Sequence, residues 1–135
     1  GLGSLTISCK KDFYLFLYLF FGIFLTAISI FYFYPTYIER PQTIKNGFLY
    51  GILISEDLPY NLFPSLHASF CITTVFSFFK NSKGLFFKNL YRAIICLWAF
   101  LIFIAILKVK QHYFIDVIGG ILNALIWIWF VYFIK

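Results

Sequence analysis

The chain is poor in the residues that most soluble enzymes depend on. Among 135 residues there are five acids, two histidines, three cysteines, four prolines and no methionine. Charged residues make up 12% of it, against about a quarter in an ordinary soluble domain. So little charge cannot cover a water-exposed surface, which excludes a soluble globular protein. Cys9, Cys71 and Cys96 are far apart and form no C-x-x-C pair. With only His67 and His112 to join them, they supply neither a disulfide framework nor a convincing metal cage. No internal repeat or low-complexity tail is present. The chain begins at Gly1, and the absence of methionine reads as a processed or truncated product. The first apolar run is long enough to stay in a bilayer, so it does not read as a cleaved signal peptide.

Apolar residues fill the space. Hydrophobic residues are 62% of the chain and aromatics 24%, so an integral membrane protein is expected. A spanning helix needs about 20 mostly apolar residues. Four segments meet or approach that, at about 13–34, 64–80, 90–108 and 113–134, the second being somewhat short. The expected fold is all-α, a polytopic bundle of about four spans forming one membrane-embedded domain over residues 1–135. The phenylalanines and tyrosines read as lipid-facing bulk and interfacial anchors.

The net charge of +6 resembles a nucleic-acid signal until its residues are placed. Lys80, Lys83, Lys88 and Arg92 share one connection with no acid, and Lys10, Lys11 and Lys135 flank the ends. Basic residues in short loops mark the cytoplasmic side, and four spans put all these clusters there together. The connections 35–63 and 108–116 then face the opposite compartment. No nucleic-acid partner is expected.

Topology thus gathers Glu39-Arg40-Pro41, Pro64-Ser65-Leu66-His67 and Lys110-Gln111-His112 with Asp116 on one face. Ionisable groups at span ends facing a shared cavity are costly and are functional candidates by default. On a helix His112 and Asp116 would lie one turn apart, a spacing at which a carboxylate can fix an imidazole's tautomer. One histidine as nucleophile, a second as general acid, and cations with helix N-termini for the oxygens would suit phosphoryl transfer. The plainer readings are buried structural histidines, an Asp116 that only caps its helix, a Ser65 that is only a cap, and Arg40 and Lys110 as interfacial anchors. Ser69 and Gly119-Gly120 read as helix-packing positions.

Pro64-Ser65-Leu66-His67 resembles the P-S-x-H motif of the type 2 phosphatidic acid phosphatase superfamily. Lys110-Gln111-His112 through Asp116 resembles its H-x-x-x-D motif, and Arg40-Pro41 its first, R-P-containing motif. The order and spacing match over about residues 35–120. The resemblance implies a lipid phosphatase or phosphotransferase that uses no metal or other cofactor. It implies His112 as nucleophile, Asp116 as its orienter and His67 as general acid, with Arg40 and Ser65 binding phosphate. The substrate would be a phosphomonoester or pyrophosphate of a lipid, met on the outer, periplasmic side of a bacterial plasma membrane.

The chain departs from the family pattern at three positions. Phe33 stands where the first motif has Lys, and Ala105 and Ile106 stand where the third has Ser-Arg. Lys110, one helical turn beyond Ile106, is the expected substitute cation. The K-Q-H-Y and P-S-L-H variants look like the branch that includes inositol phosphorylceramide synthase-like proteins, so a lipid phosphotransferase is an alternative. Members usually have six spans and the expected four match the C-terminal part, so the first two helices look absent. A catalytically inactive truncated membrane component is the other alternative.

Overall fold

The computed structural model describes residues 2–37, 60–81, 87–108 and 112–134, with side chains from Lys10 onward. Arg40 and Lys110 lie outside the described residues, as do Glu39, Glu56 and Asp57. Four helices carry the fold: α1 (Leu2–Phe33), α2 (Leu66–Asn81), α3 (Lys88–Lys108) and α4 (Phe114–Phe133). The only strand-like feature among the described residues is an isolated antiparallel bridge between Tyr37 and Tyr60. The all-α bundle expected from composition is therefore what forms.

Three stretches are long and apolar enough to cross a bilayer: Lys10–Phe33, Lys88–Lys108 and Phe114–Phe133. The chain is an integral membrane protein. Helix α1 begins well before the expected boundary, because the Lys10-Lys11-Asp12 cluster interrupts the apolar run without interrupting the helix. Helix α2 has 16 residues, about 24 Å at 1.5 Å per residue. That is less than the roughly 30 Å hydrocarbon layer, so by length alone the second expected span falls short.

The short helix is the hub. Helix α2 packs against α1, α3 and α4, and its largest interface is with α4. Along it Ser69, Thr73 and Ser77 recur every fourth residue, and all are buried. Such a stripe of small residues lets helix backbones approach closely where water exclusion between helices offers no driving force. The apolar side chains point outward instead: Leu97, Trp98, Phe100 and Leu101 of α3 and Leu125, Ile126, Trp129 and Phe130 of α4 are exposed. A bilayer, unlike water, covers these faces without penalty.

Two hydrogen-bonded rungs register α2 on α4. Ser65 N donates to Asp116 O at 3.0 Å, and one turn on, the Ser69 hydroxyl donates to Gly120 O at 2.8 Å. Both residue numbers rise from rung to rung, so the two helices run parallel. Gly120 is required at this crossing, since a Cβ there would lie 2.3 Å from Ser65 O and 2.9 Å from the Ala68 Cβ. The packing role expected of Ser69 and Gly120 is thus realised, whereas Gly119 makes room for the Phe63 ring of the segment before α2.

Helix α1 joins α4 by polar contacts as well. Asn123 Nδ2 donates to Ile23 O at 3.3 Å and Trp127 Nε1 donates to Thr26 Oγ1 at 2.8 Å. The Trp127 ring sits over Gly22, where any Cβ would collide with it. At the opposite end from the histidines, Arg92 Nη2 donates to Phe79 O at 3.0 Å and Lys80 Nζ lies 3.4 Å from the Tyr132 ring centroid. Both cations stabilise the C-terminal end of α2, where helix carbonyls lack intrahelical partners.

Candidate active site

The segment before α2 decides where His67 stands. Ser65 is the N-cap: its hydroxyl accepts from Ala68 N at 3.3 Å, satisfying a donor that the helix leaves orphaned. Pro64 precedes the cap and is joined to Phe63 by a cis peptide. Ser65 is fully buried, so its hydroxyl is committed to the cap and does not open on solvent. The amides of Leu66 and His67, in the first turn, have no acceptor among the described residues. His67 itself is exposed at the helix start.

His112 arrives from the other side. It precedes α4 rather than lying within it, two residues before Phe114. Its backbone N–H donates to Ile106 O at 3.4 Å, tying it to the last turns of α3. Ile106 is buried in an apolar cluster with Ala68 and Val117. The position at which the motif would carry an arginine is therefore filled by core packing, and its carbonyl serves His112. Lys108 closes α3 as an exposed residue.

Asp116 does two things with one oxygen. Tyr113 N donates to Asp116 Oδ2 at 2.8 Å, so the carboxylate caps α4 and carries negative charge where the helix dipole favours it. The same Oδ2 stands 3.8 Å from His112 Nδ1, longer than a direct hydrogen bond but close enough to act electrostatically. Capping and orientation, alternatives on sequence, are compatible in space. Asp116 and His112 are both buried, which strengthens the interaction relative to water.

The two imidazoles meet edge to face, with ring centroids 5.7 Å apart and planes at 65°. They line one cleft of about 110 Å³ together with Phe31, Tyr60, Asn61 and Leu66. Its volume is several times that of a water molecule and can admit a phosphate group. Nδ1 of His112 faces Asp116, and the ring shares the cleft wall with His67. Chemically the cleft offers one imidazole beside a carboxylate, one imidazole exposed to solvent, and first-turn amides without an acceptor among the described residues. Among the described residues no three His, Cys, Asp or Glu side chains converge as metal ligands would.

Of the six candidate site residues, the structure brings His67, His112, Asp116 and Ser65 together, while Arg40 and Lys110 lie outside the described residues. Motif reading missed Tyr60, Asn61 and Thr36. Thr36 Oγ1 accepts from Leu62 N at 2.7 Å and Phe63 N at 3.1 Å, clamping the approach to Pro64 onto the segment that follows α1. The only signal in sequence was a lone threonine beside Pro35, too common a pattern to single out.

No curated protein and no solved structure matches the chain. The family model of the PAP2 superfamily matches residues 11–135. That is nearly the whole chain, and the protein belongs to this superfamily, whose members are phosphatases or related phosphotransferases.

Proposed function

For this member of the PAP2 superfamily we propose a membrane lipid phosphatase that hydrolyses a phosphomonoester or pyrophosphate through a phosphohistidine on His112. The observation that carries the reading is the pairing of His67 and His112 across one cleft, with Asp116 behind the second. Nε2 of His112 attacks phosphorus, and the bond from phosphorus to the lipid oxygen breaks. His67, protonated, gives its proton to that leaving oxygen. Asp116 stabilises the charge that His112 acquires in the step. Water then attacks the phosphohistidine, His67 takes its proton, and inorganic phosphate leaves with His112 regenerated.

The anionic oxygens meet the first turn of α2, whose amides Ser65 presents by capping it. Arg40 and Lys110 supply the cationic charge, Lys110 substituting for the arginine absent at Ile106. Tyr60 on the cleft wall and the exposed Tyr34, Tyr37 and Tyr113 suit the interfacial layer, where a lipid phosphate resides. In this reading the cleft opens on the outer face of a bacterial plasma membrane.

The purified chain is offered phosphatidic acid, phosphatidylglycerol phosphate and an isoprenyl pyrophosphate in detergent with EDTA present. Phosphate release that disappears in His112→Ala is the expected result. Strict dependence on an added lipid alcohol would assign the site to a phosphotransferase. Loss of activity on chelation would refute the metal-independent route, and no turnover of any substrate would identify an inactive membrane component.

A further inference from the structure

Asn61 lines the cleft with both imidazoles, and neither motif reading nor the steps above give it a task. Its φ is 59°, the one non-glycine residue in the left-handed region among the described residues. That backbone is unfavourable for a residue with a side chain and persists only where the surroundings over-determine it. Here they do. Asn61 N donates to Thr36 O at 2.8 Å, the next two amides bond the Thr36 hydroxyl, and Tyr60 bridges to Tyr37 with rings 5.3 Å apart.

The consequence is a division of labour within one residue. The backbone of Asn61 is fixed to Thr36, just beyond α1, while none of the side-chain hydrogen bonds among the described residues involves its carboxamide. A carboxamide carries two N–H donors. Asparagine tolerates left-handed backbone and is common in turns, so conformation alone would account for the residue type. The residue's place on the cleft wall, beside both imidazoles, points further.

We infer that Asn61 is a substrate-contacting residue whose Nδ2 donates a hydrogen bond to a phosphoryl oxygen bound between His67 and His112. The inference rests on the phosphoryl-transfer reading. A neutral donor on a rigid backbone stabilises the negative charge developing on that oxygen without costly reorganisation.

Two substitutions separate the contact from the turn. Asn61→Gly keeps the left-handed backbone and removes the donor. Asn61→Asp keeps the shape and the turn preference and replaces the donor with a negative charge. Two measurements are made: phosphate release from dioctanoyl phosphatidic acid in detergent, and orthovanadate affinity read from imidazole resonances of protein labelled with 15N-histidine. The chain's two histidines make that spectrum simple to assign.

Asn61→Gly should lower kcat about 100-fold and weaken vanadate binding, with an unchanged thermal midpoint. Asn61→Asp should be worse on both counts. Wild-type kcat and vanadate affinity in Asn61→Gly would overturn the inference and leave the hydrolase reading standing. If the wild type releases no phosphate, yet binds vanadate more tightly than Asn61→Gly, the contact stands and the hydrolase reading falls. A wild type that neither releases phosphate nor binds vanadate overturns both.

Discussion

Replacing Gly120 with alanine sets two physical effects of opposite sign against each other. Helix propensity favours alanine over glycine by about 1 kcal/mol in a helix interior. Packing opposes it, because the new methyl would sit 2.3 Å from Ser65 O and 2.9 Å from the Ala68 Cβ. One of those neighbours is backbone, so relief requires α2 and α4 to move apart. Overpacking of this kind costs about 1–3 kcal/mol. Separation also stretches the rungs at 2.8 and 3.0 Å, each worth about 1 kcal/mol.

With both rungs lost the sum is a net destabilisation of about 2–4 kcal/mol, or roughly a thirtyfold to thousandfold shift toward the unfolded state. Reversible unfolding of the purified protein in mixed micelles, followed by circular dichroism, measures it. Because the seam also sets His67 against His112, kcat should fall in the fraction that remains folded. A variant as stable as the wild type or more so, with unchanged kcat, would show that propensity wins and that the two helices are not in close contact at Gly120.

Other substitutions test other parts of the molecule. Asp116→Asn keeps an oxygen that can cap Tyr113 N, so stability should change by less than about 0.5 kcal/mol. Its kcat should nevertheless fall by a factor on the order of 10³–10⁴ as the charge beside His112 is lost, read as phosphate release per folded molecule. Asp116→Ala should lose that activity together with about 1 kcal/mol of capping, and equal stability of the two variants would refute the cap. Trp127→Phe removes the donor to Thr26 Oγ1 and should cost about 1 kcal/mol in the same unfolding assay, with kcat nearly unchanged because the contact lies far along α4 from the cleft. Ser65→Ala should lower stability by about 1 kcal/mol through the lost cap and raise KM, checked by initial rates across lipid mole fraction.

The helices were legible because the signal for them is gross composition. Runs such as Leu90–Leu107 carry almost no charge, and nothing but a spanning helix uses such a run. Helix α2 was harder to place, since its stripe of Ser69, Thr73 and Ser77 lowers its hydropathy for the same reason that makes it the hub. His67, His112 and Asp116 were legible because rare polar residues in an apolar chain stand out. That Asp116 both caps α4 and faces His112 was not, since spacing alone places His112 in a helix that in fact starts at Phe114. Asn61 and Thr36 gave no warning. Their importance arises from backbone held between α1 and α2, across 26 positions of chain in the case of Thr36 and Leu62, and no local pattern records such a contact.

Parallel helices joined by two rungs one turn apart have a hazard of their own: they can slide. A slip of one turn, about 5.4 Å, would still offer each hydroxyl and amide a carbonyl, so hydrogen bonding alone does not choose between alignments. Gly120 does. Sliding would bring Asp116 or Ala124, each with a Cβ, to the place beside Ser65 O where there is room for none. The glycine therefore acts as a notch that accepts its partner in one alignment only. The distance between the two imidazoles is fixed by an absent atom two turns along the helix from His112.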